Sequence, residues 1–316
     1  MTGRPDQDVM TNPRAERVRS VARLAGRSAR LKAGAFLVEG PQGCREALRA
    51  HLGRGPEGAR SAWPVGAVVR EVYVSDRLAQ RDPELAALVD EAVSLRPAPS
   101  SASTGGNDDG RSPAARRVIA RRATDEVLTA MSDAVTGQGI LIVAALPASV
   151  ALGQVLTSGA VRLAAVLCRV QDPGNAGTIL RAADAAGADA VLLTAGSVDP
   201  FNPKVVRSTA GSIFHLPVVA GLEATAATSA LRAAGLQVWA ADGYGDHTLT
   251  SLAPERLAAP TAWLLGNEAQ GLSAQERALA DLPVAVPLYG AAESLNVGTA
   301  ATVCLYASAM AAHRAD

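Results

Sequence analysis

The first 150 residues alternate short apolar runs with stretches at helical spacing. Val18, Val21, Leu24 and Ala25 fall on one face of a predicted helix over 14–31, with arginines around the rest. Ala35-Phe36-Leu37-Val38 reads as a strand, and 42–52 as a helix. Residues 65–74 read as a second strand pair, and 83–93 as a helix capped by Asp82. Structure resumes at 116–120, followed by a helix at 125–132 and a strongly apolar strand at 139–145. Residues 96–113, RPAPSSASTGGNDDGRSP, are too poor in apolar side chains to order themselves and predict a flexible insertion.

The second half repeats strand then helix more clearly. Apolar runs at 161–168, 190–193, 215–219, 236–241, 262–265 and 284–286 predict strands; 176–186, 203–208 and 222–234 predict helices. Short apolar strands with crossover helices imply a parallel sheet covered on both faces. After Pro287 and a turn near Gly290 the chain restarts as a helix, with Ser294 as the expected cap. No charged residue occurs from Ser294 to Ala312, which predicts a helix buried on most sides. Asn296 and the hydroxyls after it argue against a membrane span there. A length of 316 residues implies two domains, set at 1–150 and 151–316, each α/β.

Composition narrows the chemistry. The three cysteines, Cys44, Cys168 and Cys304, and the four histidines are scattered, so neither a disulfide framework nor a metal site is expected. No stretch resembles a signal peptide, and a cytoplasmic location is expected. Charge is uneven. Residues 151–316 hold 9 Lys+Arg against 13 Asp+Glu, a net of −4, which leaves +4 for 1–150. Seven basic residues lie between Arg14 and Lys32. Such a run is either a solvated helix face or a phosphate-binding surface. Only Lys32 and Lys204 are lysine, and arginine supplies the planar donors that suit phosphate.

Three stretches place polar groups where strands run into Gly-containing loops. The first is VQDPGNAGTILR, from Val170 to Arg181. Gly174 permits the turn, Asn175 can cap, and Gly177 and Arg181 share a helix face. It lacks G-x-G-x-x-G, which argues against a dinucleotide fingerprint. The second is WLLGNEAQGL, from Trp263 to Leu272, followed by Ser273 and Glu276 at capping-box spacing. Its Glu268 stands at a strand's carboxyl end, where open α/β sheets bind ligands. Taken alone, Arg181 could simply pair with Asp184, and Glu268 could be an exposed loop acid. The third stretch runs from Pro287 to Val297.

In order and spacing these stretches resemble the signature motifs of the SpoU/TrmH family of RNA ribose 2′-O-methyltransferases. N-x-G-x-x-x-R is matched by Asn175, Gly177 and Arg181. G-x-E-x-x-G is matched by Gly266, Glu268 and Gly271. P-x-x-G-x-x-x-S-L-N-V is matched by Pro287, Gly290, Ser294, Leu295, Asn296 and Val297. Asn202-Pro203-Lys204, Arg207 and Gly211 match a recurring family segment, and Phe36 to Gly40 resembles the family's substrate-binding domain. Gly298 departs from the family's usual Ser or Thr. The resemblance implies a SPOUT sheet with a deep trefoil knot, preceded by a smaller RNA-binding α/β domain. It also implies a homodimer, S-adenosylmethionine as cofactor, and ribosomal RNA before transfer RNA as substrate. Catalytic roles would fall on Asn175, Arg181, Glu268, Ser294 and Asn296. Cofactor contacts would come from Thr194, Leu265, Gly266, Asn267, Val286, Leu288, Leu295 and Asn296. Arg23, Arg27, Arg30, Lys204 and Arg207 would meet RNA. The family casts the arginine matched by Arg181 as a base. Guanidinium groups resist deprotonation, so a phosphate clamp that polarises the 2′-hydroxyl is the reading kept here, with Glu268 orienting Arg181 or Asn175. A non-catalytic RNA-binding protein and a base methyltransferase of the wider SPOUT group are the alternatives.

Overall fold

The computed structural model describes residues 9–56, 63–95, 117–133, 138–148, 150–157 and 161–315. The expected insertion at 96–113 lies outside them. The chain forms two compact units, one from residues 1–148 with 201–214, the other from 149–200 with 215–316. The sequence assigns the whole of 151–316 to one domain. Residues 201–214 instead pack within the first unit, because their aromatic side chains belong to its core.

The first unit carries a sheet of β1 (Ala35–Glu39), β2 (Val69–Val74), β3 (Ile119–Arg122) and β4 (Ile140–Ala145), in the order β1-β4-β2-β3. β4 pairs antiparallel with β1 and β2, and β3 runs parallel to β2. The strand pair expected over 65–74 is thus the single strand β2. Phe36, Trp63, Phe201 and Phe214 cluster, with the Phe36 and Phe201 ring centres 5.0 Å apart. The Trp63 indole donates to the Ile213 carbonyl at 3.2 Å. Asp82 caps Pro83–Ser94 as expected, accepting from the Leu85 N–H.

The expected helix over 14–31 is broken. Helix Glu16–Ala22 passes through a turn at Arg23–Ala25 and restarts as Arg27–Ala33 after Gly26, whose backbone is extended (φ −86°, ψ 136°). Glycine is a weak helix former, and the break leaves helix-end carbonyls without partners. Arg30 fills that need: its buried guanidinium donates to the carbonyls of Leu24 at 3.0 Å and Ala25 at 2.6 Å.

The second unit is built on seven parallel strands: β5 (Leu163–Leu167), β6 (Ala190–Thr194), β7 (Val218–Leu222), β8 (Gln237–Ala241), β9 (His247–Thr248), β10 (Thr261–Leu265) and β11 (Leu282–Ala285). Their order is β7-β6-β5-β10-β8-β11-β9. β7 lies three residues beyond the run at 215–219 that predicted it. Its neighbour β6 sets that register, pairing Val191 with Val218. One register row crosses five strands through Leu193, Leu167, Leu265, Ala241 and Val284. The strands therefore end at one level, and their following loops emerge together.

The C-terminal helix, Val297–Ala315, packs on this sheet with Ala301, Cys304 and Leu305 buried. The Trp263 indole donates to the Ser308 hydroxyl at 3.0 Å, and Trp239 meets Trp263 edge-on at 5.3 Å. The buried face and the bond at Ser308 account for the charge-free stretch of this helix without a bilayer. No described helix is long and apolar enough to cross a membrane.

Candidate active site

The three loops singled out in the sequence meet at the carboxyl edge of the second sheet. β5 runs through Cys168 into helix Pro173–Ala185. Its cap is Asp172, whose carboxylate accepts from the Asn175 N–H at 2.8 Å. Asn175 was the expected cap. Sitting two residues inside the helix, it has its side chain free to bond outward.

It bonds to both other loops. The Asn175 amide donates to Glu268 Oε1 at 3.2 Å, and its carbonyl oxygen accepts from Asn296 Nδ2 at 2.9 Å. Asn296 also caps the C-terminal helix, accepting from the Gly298 N–H at 2.9 Å. The helix thus begins after Asn296, and Ser294, the expected cap, lies exposed in the preceding loop. A Cβ at Gly298 would sit 3.1 Å from Thr178 Cγ2 and 3.2 Å from Asn296 Oδ1, so the departure from Ser or Thr leaves the cap uncrowded.

Glu268 is held by its surroundings. Its carboxylate accepts from the N–H groups of Gln171 at 3.2 Å and Asp172 at 3.0 Å. Partial burial pushes its pKa up. The main-chain donors, its own N–H included, and the Asn175 amide outweigh that and hold it below the usual carboxylate range. Of the two partners expected for Glu268, the structure provides Asn175. Arg181 is exposed, and its side chain makes no hydrogen bond or ion pair among the described residues. Asp184, the partner that would have neutralised Arg181, pairs with His215 at 2.8 Å.

Several expected contacts are already committed. Thr194 is buried; its hydroxyl accepts from the Arg169 N–H at 3.1 Å and donates to the Leu167 carbonyl at 3.3 Å. The Leu265 carbonyl accepts from the Cys168 N–H. The Asn267 side chain shapes its own loop, accepting from the N–H groups of Ala269 and Gln270 and donating to the Arg169 carbonyl. Gly266 is buried, and a Cβ there would lie 2.4 Å from both Gly271 C and Leu272 N. The main chain of Val286 to Leu295 makes no hydrogen bond among the described residues. Leu288 and Leu295 are partly exposed beside this unpaired main chain.

The expected RNA contacts divide. Arg30 is buried on main-chain carbonyls and cannot present its charge. Arg207 is bound by Glu39 at 2.5 Å, a buried carboxylate that also accepts from Ser132 and Asp133. Arg23 pairs with Glu16 at 3.0 Å on the surface. Arg27 and Lys204 are exposed, and their side chains make no ion pair among the described residues.

Sequence reading missed Arg169. It follows β5 with φ 55°, a left-handed conformation costing about 1–2 kcal/mol for a residue with a side chain. Its guanidinium meets Glu276 bidentately, Nε to Oε1 at 2.9 Å and Nη2 to Oε2 at 2.7 Å. The capping box of Ser273 and Glu276 was legible, but this partner was not. The Arg169 hydrogen bonds lower the Glu276 pKa from 4.5 to about 2, against the opposing effect of burial. A depressed carboxylate contributes stability above its unfolded pKa and loses it as pH falls through the folded one. Wild type should therefore lose stability between about pH 4.5 and pH 2 faster than Glu276→Gln, in thermal melts across that range. Parallel curves would contradict this.

Burial raises the Cys168 and Cys304 thiols to about 12, which disqualifies both as nucleophiles. Among the described residues no group of three or more His, Cys, Asp or Glu could hold a metal ion.

Fold and site together define an α/β protein with a ligand site at the carboxyl edge of a parallel sheet. The model of the SpoU rRNA Methylase family matches residues 162–306. The 23S rRNA (guanosine(2553)-2′-O)-methyltransferase RlmP of Bacillus subtilis is 45% identical over 140 residues, 43% of this chain and 54% of the relative. The chain thus spans about half the length of that relative. The 23S rRNA (guanosine-2′-O-)-methyltransferase RlmB of Xylella fastidiosa is 34% identical over 193 residues, 59% of this chain and 75% of the relative. The crystal structure of the SpoU methyltransferase AviRb from Streptomyces viridochromogenes, in complex with the cofactor AdoMet, superposes with a TM-score of 0.70 at 28% identity. That match covers 96% of this chain and 99% of the other. The chain belongs to the SpoU rRNA methylase family.

Proposed function

We propose that this protein methylates a ribose 2′-hydroxyl of ribosomal RNA, most simply of the large subunit, using S-adenosylmethionine. The observation that carries the reading is the chain of side-chain bonds Asn296–Asn175–Glu268, which joins all three loops at the sheet edge. The unpaired main chain over 286–295, with Leu288 and Leu295 beside it and the buried Gly266 at the end of β10, fits a cofactor with a polar rim and an apolar ring. When bound, that cofactor supplies an electrophilic methyl group on a sulfonium.

The protein's own tasks are to align the hydroxyl and handle its proton. Arg181, whose side chain has no partner among the described residues, clamps the phosphate beside the target ribose and polarises the 2′-oxygen. Asn175 and Asn296, each held at both its amide nitrogen and its oxygen by the network, turn their second amide N–H to the ribose, and Ser294 closes the loop side. Glu268 acts through Asn175. The 2′-oxygen gains the methyl carbon, the carbon–sulfur bond breaks, and the hydroxyl proton leaves to water. Arg27 and Lys204 supply further phosphate contacts. The family's knot is expected in the segment before the C-terminal helix, and a cytoplasmic location goes with a ribosomal substrate. A second copy is expected to cover Val303 and Met310, exposed seven residues apart on the C-terminal helix.

Labelled S-adenosylmethionine, incubated separately with ribosomal and transfer RNA, tests this. Label on a ribose 2′-oxygen of ribosomal RNA, from protein running at twice the 32.2 kDa chain mass, is expected. Label on transfer RNA would replace the substrate. Label on a base, or cofactor binding with no transfer to either RNA or to ribosomal particles, would overturn the reaction.

A further inference from the structure

We infer that Arg169 is a positioning residue, which grips the loop 266–272 and so sets the place of Glu268. This rests on the methyl-transfer reading for its effect on rate, but the grip itself stands on geometry.

The Arg169 backbone is fixed on both sides. Its N–H donates to the buried Thr194 hydroxyl at 3.1 Å, and its carbonyl accepts from Asn267 Nδ2 at 2.9 Å. Between these bonds the residue holds φ 55°. A left-handed residue that is not glycine persists only where its surroundings impose it. Here the turn sends the side chain across to the neighbouring loop. Nη1 reaches Gln270 Oε1 and Nη2 reaches the Gly271 carbonyl, both at 3.4 Å. Nε and Nη2 close on the Glu276 carboxylate, which also accepts from the Ser273 N–H at 2.7 Å.

One residue therefore holds the loop at its start through Asn267, at its end through Gln270 and Gly271, and at the following helix through Glu276. Glu268 lies between the grips, and its carboxylate holds Asn175. Arginine is required because the fork meets both carboxylate oxygens at once. A lysine ammonium is a single point of charge and cannot.

Arg169→Gly is the informative variant, since glycine adopts the left-handed backbone freely, the carbonyl bond to Asn267 can remain, and only the side-chain grips on Gln270, Gly271 and Glu276 are lost. Hydrogen exchange of peptides spanning 266–272 is expected to quicken by about 10-fold or more, with strands β5 and β10 protected as in wild type. The S-adenosylmethionine Kd should rise about 10-fold and kcat fall about 10- to 100-fold, with the KM for RNA within about twofold. Glu276→Gln should give the same pattern more weakly, and Arg169→Lys should fall between wild type and Arg169→Gly. Exchange over 266–272 and cofactor affinity both unchanged in Arg169→Gly would overturn the inference. So would faster exchange throughout the sheet with a lowered melting temperature, which would mark a general structural role. Wild-type protein that methylates no RNA would defeat the proposed function alone, since the exchange comparison decides the grip without turnover.

Discussion

Arg181→Ala is expected to lower kcat for RNA methylation by about 10²- to 10³-fold, the usual cost of losing one aligned electrostatic donor from a transition state. Cofactor affinity should stay within about twofold of wild type, because among the described residues the Arg181 side chain makes no hydrogen bond to the loops whose main chain fits the cofactor. The expectation rests on its isolation. Asp184, one turn further along the same helix, is taken by His215. Glu268, the other acid proposed for it, is saturated by main-chain donors and Asn175. An exposed guanidinium with no ion pair or side-chain hydrogen bond among the described residues, on the helix that carries Asn175, is placed for a phosphate. Arg181→Lys should recover only part of the rate, since an ammonium cannot make the planar two-point contact. Isothermal titration with S-adenosylmethionine and single-turnover methylation separate the two effects. Unchanged turnover in Arg181→Ala would remove Arg181 from the site.

Gly266→Ala should have the largest effect on cofactor binding. The added methyl would sit 2.4 Å from the main chain of Gly271 and Leu272, and backbone cannot swing aside as a side-chain tip can. The loop closed by the paired bonds of Asn267 and Gly271 would have to open. Overpacking of this kind costs about 1–3 kcal/mol, a loss of several degrees in melting temperature. The Kd for S-adenosylmethionine should weaken by about 10-fold or more as the Gly266 main chain moves. Gly221→Ala is the control: no ligand role is proposed for Gly221, and a Cβ there meets nothing within 4 Å, although its φ of 77° adds a strain Gly266 lacks. An alanine at 266 that binds cofactor like wild type would show that this main chain does not form the cofactor site.

Much of the second unit was legible in the sequence. Short apolar runs separated by helical spacing fixed a parallel sheet, because a strand buried on both faces must be apolar at every position. Glycine, asparagine and glutamate at strand ends marked the loops, because close backbone approach and loop capping restrict which residues can stand there. The family motifs then named Asn175, Glu268 and Asn296 together, and the structure joins them by hydrogen bonds.

What the sequence alone could not choose was partners. Asn175 or Asp172 as a cap, Ser294 or Asn296 as the next, and Asn175 or Arg181 against Glu268 are pairs of chemically suitable residues. Only the register of β5, β10 and β11 brings one of each into bonding distance. The same holds for charge. Arg23, Arg27, Arg30 and Arg207 look alike in a basic sequence. A helix break at Gly26 turns Arg30 inward, and packing of 201–214 within the first unit gives Arg207 to Glu39. Arg169 shows the limit most plainly. Its partner Glu276 lies 107 positions away, and its role depends on a left-handed backbone that no residue type announces. Composition and periodicity determined which elements form and which groups they carry. Tertiary contact decided which of those groups remain free to do chemistry, because a hydrogen bond depends on distance in space.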